Sequence, residues 1–334
     1  MQFLRLIRWL IGAVIFQFLT VGISKATPIS YSISTINPLG SNDTIVYGVN
    51  DSGQLVGYFR DSTGAHGFLL SGSTLTPIDF PGADATEVYG INNAGALVGT
   101  YIVGGVLHGF KQEGGIFTQL SIPGAISVQP FGISDNDVIV GSYQSAPGGS
   151  HGFRLEGGSL VTIDVPGAAF NQPYGINDTG EISGNYSEAS APSISRTHGF
   201  TYAINLFSFF DAPGSNIGAD VYTIAHGLND LGQIVGNHID SVGEHVFVNT
   251  AGDFNLLNVT GALCVRGFDI NNVGQVVGAY GNCSSPGWNG FVATPIQDPH
   301  HVPESSSLAL VGAGLLALGL ARFLLVIPPI ERKP

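Results

Sequence analysis

The chain has 334 residues with 48 glycines and 18 prolines, and only 10% of its residues are charged, against roughly 25% in an average globular protein. A hydrophobic content of 44% is enough to bury a core and excludes wholesale disorder, while so much glycine argues against a helix bundle or coiled coil. Residues 27–301 carry 22 acidic and 5 basic side chains, a net charge of −17 that lacks the basic footprint of a nucleic-acid binder.

The first 26 residues read as a secretory signal. Arg5 and Arg8 give a positive start, residues 9–23 are apolar, and Ser24-Lys25-Ala26 sets small residues before a cleavage point at Thr27. Export is the expectation.

Residues 27–296 are organised by an internal repeat. YGVNDSGQLVG (47–57) recurs as YGINNAGALVG (89–99), FGISDNDVIVG (131–141), YGINDTGEISG (174–184), HGLNDLGQIVG (226–236) and FDINNVGQVVG (268–278). The starts are 42, 42, 43, 52 and 42 residues apart. A His-Gly-Phe-like triplet follows each copy, beginning at His66, His108, His151, His198, His245 and Asn289, and a block such as IDFPGA (78–83) closes each of the first five units.

Each unit reads as four short strands broken by turn residues, as in TEVYGIN, ALVGTYI, HGFKQ and IFTQLSI. The Asn-x-x-Gly between the first two suits a hairpin turn, and Pro-Gly ends the fourth strand. Four strands in such a period match one propeller blade. The chain ends its repeats on a third strand, NGFVATP (289–295), and begins with a spare fourth, YSISTINPLG (31–40). The expectation is an all-β fold: a six-bladed β-propeller closed by its N-terminal strand, flanked by a signal helix and a C-terminal transmembrane helix.

These elements resemble the HAF-family extracellular repeats, through His-Gly-Phe and Gly-Ile-Asn-x-x-Gly-x-Ile-Val-Gly, over nearly all of residues 30–295. The resemblance implies an exported repeat protein and brings no established reaction with it.

Residues with chemistry follow the repeat. His66, His108, His151, His198 and His245 share one position, and Asp79, Asp164 and Asp211 share another, with Ser121 and Asn258 at matching places. Such recurrence reads as a structural hydrogen bond made once per unit in preference to a metal ring or an acid catalyst. Asp51, Asp178 and Asp230 fall in the Asn-x-x-Gly turns and read as solvated. Ser150, within a literal Gly-x-Ser-x-Gly, reads as turn material because no helix follows it. No catalytic residue, metal or cofactor is assigned. Cys264 and Cys283 flank a hairpin-like segment and are expected to pair in an oxidising compartment. The 52-residue interval enlarges the segment 185–196, so Tyr186, Glu188 and Arg196 are the candidate binding residues.

Residues 297–305 form a linker and 306–334 an apolar tail, with a 20-residue stretch from Leu308 to Ile327 interrupted only by Arg322. VPESSSLALVGAGLLALGLAR (302–322) resembles the PEP-CTERM sorting signal of exosortase-type bacteria. Val302, Pro303 and Glu304 match its motif, Ser305 replaces its second proline, and no arginine cluster follows Arg322. The resemblance implies sorting to the cell envelope, with exosortase-type machinery as a partner.

Two functions fit. One is a non-enzymatic, monomeric surface module that binds carbohydrate, matrix or protein, with exopolysaccharide or a surface protein as partner. The other is a hydrolase or lyase acting on extracellular polysaccharide.

Overall fold

Short β-branched and aromatic runs become strands throughout the computed structural model, which describes residues 29–38, 40–146, 149–188, 196–217, 220–283 and 287–296. No helix occurs among these residues. The signal at 1–26, the linker with Val302, Pro303 and Glu304, and the sorting segment at 306–334 lie outside the described residues.

The first repeat lays down Asp43–Val49, Leu55–Arg60, Ala65–Ser71 and Thr74–Ile78 as an antiparallel sheet in chain order. Residues 85–120 and 125–163 repeat that arrangement. Residues 168–210 and 220–257 each do the same. A two-residue parallel contact, Arg196 with Val221 and Thr197 with Tyr222, joins these two groups into one nine-stranded sheet that also includes the short strand Asn216–Ile217. In the last sheet the chain start completes the set: Tyr31–Ile36 pairs antiparallel with Asn289–Pro295, Tyr31 opposite Pro295 and Ile36 opposite Gly290. The first strand of each repeat lies beside that of the next, and the last returns to the first. Four-stranded antiparallel sheets in cyclic order make a β-propeller, which hides the inner strand edges that an open stack would expose.

The core lies between neighbouring sheets. The phenylalanines of the recurring triplets, Phe68, Phe110, Phe153, Phe200, Phe247 and Phe291, are all completely buried. Phe153, for instance, joins Val128, Ile133 and Ile139 of its own sheet to Ala96, Val98 and Ile122 of the preceding one. Each repeat thus supplies one aromatic plug to a seam, which is why the triplet recurs.

Every first strand carries a register shift near its end, between Pro130 and Gly132 in the third repeat, where a bulge turns the strand toward its neighbour. A Cβ on Gly132 would lie 2.7 Å from the Tyr174 carbonyl oxygen of the next sheet. The same position holds glycine in the first five repeats and Asp269 in the sixth.

Cys264 and Cys283 are disulfide-bonded, with Cα atoms 5.1 Å apart, and tie the start of the innermost strand of the last sheet to the loop after its second strand. Reduction is expected to cost about 2–4 kcal/mol, read as a lower denaturant midpoint at unchanged slope. An unmoved midpoint would show that the bond adds nothing to stability.

Candidate functional site: the propeller axis

The Asn-x-x-Gly turns do more than reverse the chain. In the first, the Gln54 N–H donates to Asn50 Oδ1 at 3.0 Å, closing the turn, while Asn50 Nδ2 donates to the Asn92 carbonyl of the next repeat at 3.2 Å. The residue after this asparagine makes a second link. The Asp51 N–H donates to Asn93 Oδ1, Asn93 to Asp135, Asp135 to Asp178, Asp178 to Asp230, Asp230 to Asn272, and Asn272 back to Asp51, all at 2.7–2.8 Å. Asp51, Asp178 and Asp230 are therefore not simply solvated, as the sequence suggested. The turns converge on the axis, so each backbone N–H meets the side chain of the next turn.

The amides of Asn93 and Asn272 separate some carboxylates, donating to Asp51 and Asp135 and to Asp51 and Asp230 respectively, at 2.7–2.9 Å. Asp178 has a carboxylate on each side. Burial first, and then the charges of Asp135 and Asp230, push its pKa above the usual carboxylate value. Among the described residues no three His, Cys, Asp or Glu side chains are grouped to hold a metal ion.

Farther along the axis each first strand points one ring inward from the residue before the bulge. Neighbouring ring centroids are close: Tyr47–Tyr89 4.7 Å, Tyr89–Phe131 5.4 Å, Phe131–Tyr174 4.9 Å, Tyr174–His226 4.7 Å, His226–Phe268 5.1 Å and Phe268–Tyr47 5.0 Å. The six rings close a collar. Burial, followed by the charge of Arg266, lowers the His226 pKa to about 3, so this member is uncharged at neutral pH. Burial raises the pKa of Tyr47, Tyr89 and Tyr174, so the phenols stay protonated.

The collar lines a partly enclosed cavity of about 300 Å³, together with Gln129 and Gln172. Two residues before the collar, the repeats stop resembling one another. That position holds Ile45, Glu87, Gln129, Gln172, Ile224 and Arg266. Glu87 accepts a hydrogen bond from the Tyr89 hydroxyl at 2.7 Å, and Gln172 accepts one from Tyr174. Arg266 is held by Glu244 at 3.0 Å and lies over the Trp288 ring. Sequence reading missed this site. Its signal was the aromatic residue or histidine that precedes the bulge position in all six copies.

The recurring histidines lie elsewhere, at the opposite end of each sheet from the Asn-x-x-Gly turns. Each lies near the start of a third strand, and three reach the aspartate just after the fourth: His66 Nδ1 to Asp79 at 3.1 Å, His151 to Asp164 at 2.8 Å and His198 to Asp211 at 2.9 Å. His108 faces Gln119 at 3.5 Å, and His245 turns its Nε2 to Asp240 at 3.1 Å. A ring of the second strand packs on each, as Tyr143 does on His151 at 5.1 Å and His238 on His245 at 5.3 Å. Ser150 opens the strand Ser150–Glu156 opposite Gln144 and is not turn material; the repeat's own pairing extends the strand to it.

Of the residues expected in the enlarged segment, Glu188 meets Arg196 at 3.2 Å and His198 at 3.7 Å. Tyr186 packs between His198 and Phe209, the latter half exposed. The structure brings these three residues together on the histidine side, while residues 189–195 lie outside the described set.

No family model matches the chain and no curated protein matches it. Among solved structures, the chain is similar to an arginine-to-alanine mutant of AofleA from Arthrobotrys oligospora at 9% identity, covering 80% of this chain and 91% of that one, with a TM-score of 0.48. It is also similar to the β-propeller domain of the Trilobed protease from Pyrococcus furiosus at 9% identity, covering 82% and 97%, with a TM-score of 0.46. The propeller assignment rests on this chain's own strand order.

Proposed function

We propose that this chain is an exported six-bladed propeller that binds a ligand without transforming it, and that recognition takes place at the axial cavity. The count of six takes residues 168–210 and 220–257 as separate blades, since the strand pairing between them is only two residues long. Export and sorting to the cell envelope follow from the signal and from the PEP-CTERM resemblance, with exosortase-type machinery as the processing partner. One observation carries the binding reading. On an otherwise repetitive scaffold, the position beside the collar differs from blade to blade, and a symmetric ring needs such differences to recognise one particular ligand.

The wall chemistry favours binding over catalysis. Glutamine amides hold and orient polar groups but do not trade protons, and His226 is too weak a base to accept one at neutral pH. Tyr186, Glu188 and Arg196 form a second proposed contact, supported by the half-exposed Phe209 beside Tyr186. The test is to incubate the purified chain with a panel of polysaccharides and surface proteins while following both retention and product release. Retention without product is expected, and Gln129→Leu with Gln172→Leu should weaken it. Product release would overturn the reading.

A further inference from the structure

The collar specifies a class of ligand, and this inference rests on the axial site proposed above. Its six centroids are spaced 4.7–5.4 Å apart. The centre of a regular hexagon lies one side length from every corner. A point on the axis is therefore about 5 Å from all six rings, inside the roughly 6 Å reach of a cation–π contact. Neighbouring planes are inclined by 47–75°, so no two adjacent rings stack face to face.

Acidic groups outnumber cations around this point, although the charge of Arg266 reaches the collar at His226. The cavity lining contains no Lys or Arg, and its one histidine is neutral. Beyond the collar stand the carboxylates of Asp51, Asp135, Asp178 and Asp230, and Glu87 sits behind Tyr89. Arg266, the cation at the same register, is engaged by Glu244 and Trp288. An anion would find no cationic partner in this lining, whereas a cation would sit within reach of six ring centroids with carboxylates beyond them. Among the described residues no three His, Cys, Asp or Glu side chains are grouped to hold a bare metal ion, and a cavity of about 300 Å³ suits a small head group.

We propose that the axial cavity binds a small organic cation, a quaternary ammonium or protonated amine, with its charged head inside the ring formed by Tyr47, Tyr89, Phe131, Tyr174, His226 and Phe268. Calorimetric titration of the purified full chain with choline, and with its neutral isostere 3,3-dimethylbutan-1-ol, tests this without any variant. Choline is expected to bind about tenfold more tightly, and added salt should weaken choline alone. Phe131→Leu and Tyr174→Leu should each lower choline affinity several-fold; two variants guard against one failing to fold, which circular dichroism reports. Equal binding of the two probes, or no choline binding, overturns the cation assignment. If polysaccharide or protein retention still falls in the Gln129 and Gln172 variants, the axial site stands without it. If retention is also unchanged, both fail.

Discussion

Phe153→Ala is expected to cost about 3–5 kcal/mol of stability. The ring is completely buried and touches apolar side chains of two adjacent sheets, so its removal leaves a void in a seam that neither sheet can close alone. Rigid strands fixed by antiparallel pairing limit relaxation into that void, which places the effect toward the upper part of the range. Ile116→Ala is the control. Ile116 is 73% exposed on an outer strand, and its truncation should stay within about 0.5 kcal/mol. Denaturant unfolding of both variants decides the matter. A loss below about 1 kcal/mol at Phe153 would show that the seams do not hold the sheets together.

Asp269→Asn is expected to stabilise the protein increasingly as the pH rises. Asp269 takes the bulge position that is glycine in the other repeats, and its Oδ2 accepts the Val49 N–H at 3.0 Å across the junction between the last and first repeats. Burial first, opposed by backbone N–H bonds and joined by the Asp51 charge, pushes its pKa from 3.8 to about 7. A carboxyl that is harder to ionise when folded leaves stability intact below about pH 4 and removes it progressively as pH rises through about 7. That shift corresponds to a penalty of up to about 4 kcal/mol at alkaline pH. Asparagine keeps an acceptor for Val49 and carries no charge. The two proteins should therefore unfold alike near pH 3.5 and diverge until about pH 8. Parallel stability curves across that interval would contradict the assignment.

The strands and their order were readable because each run is bounded by turn residues and repeated six times. The closing strand was readable from a missing fourth strand at one end and a spare one at the other. The histidine bonds were readable only in part: His66, His151 and His198 meet the aspartates at the recurring position, whereas His108 and His245 turn to Gln119 and Asp240 instead of Ser121 or Asn258. The axis was not readable. An inner strand packs against neighbours on both sides and also faces the centre, so period-two alternation does not say which side chains meet across six repeats. Tyr47 and Phe268 are 221 residues apart in sequence, yet their ring centroids lie 5.0 Å apart. The Asn-x-x-Gly turn misled for a related reason. Its local role is complete within one hairpin, and only the closed ring shows that the same residues bond to the next repeat.

Closure of that ring is the premise of the axial site, and one cross-link tests it. Ser34 lies opposite Val292 in the pairing of Tyr31–Ile36 with Asn289–Pro295. Ser34→Cys combined with Val292→Cys should oxidise within one chain, giving a monomeric species whose mobility on non-reducing gels reverts on reduction. Mass spectrometry of proteolysed material should then recover the two segments joined, with Cys264–Cys283 still paired. Only intermolecular dimers, or free thiols at both introduced positions, would contradict a propeller closed by its own N-terminal strand.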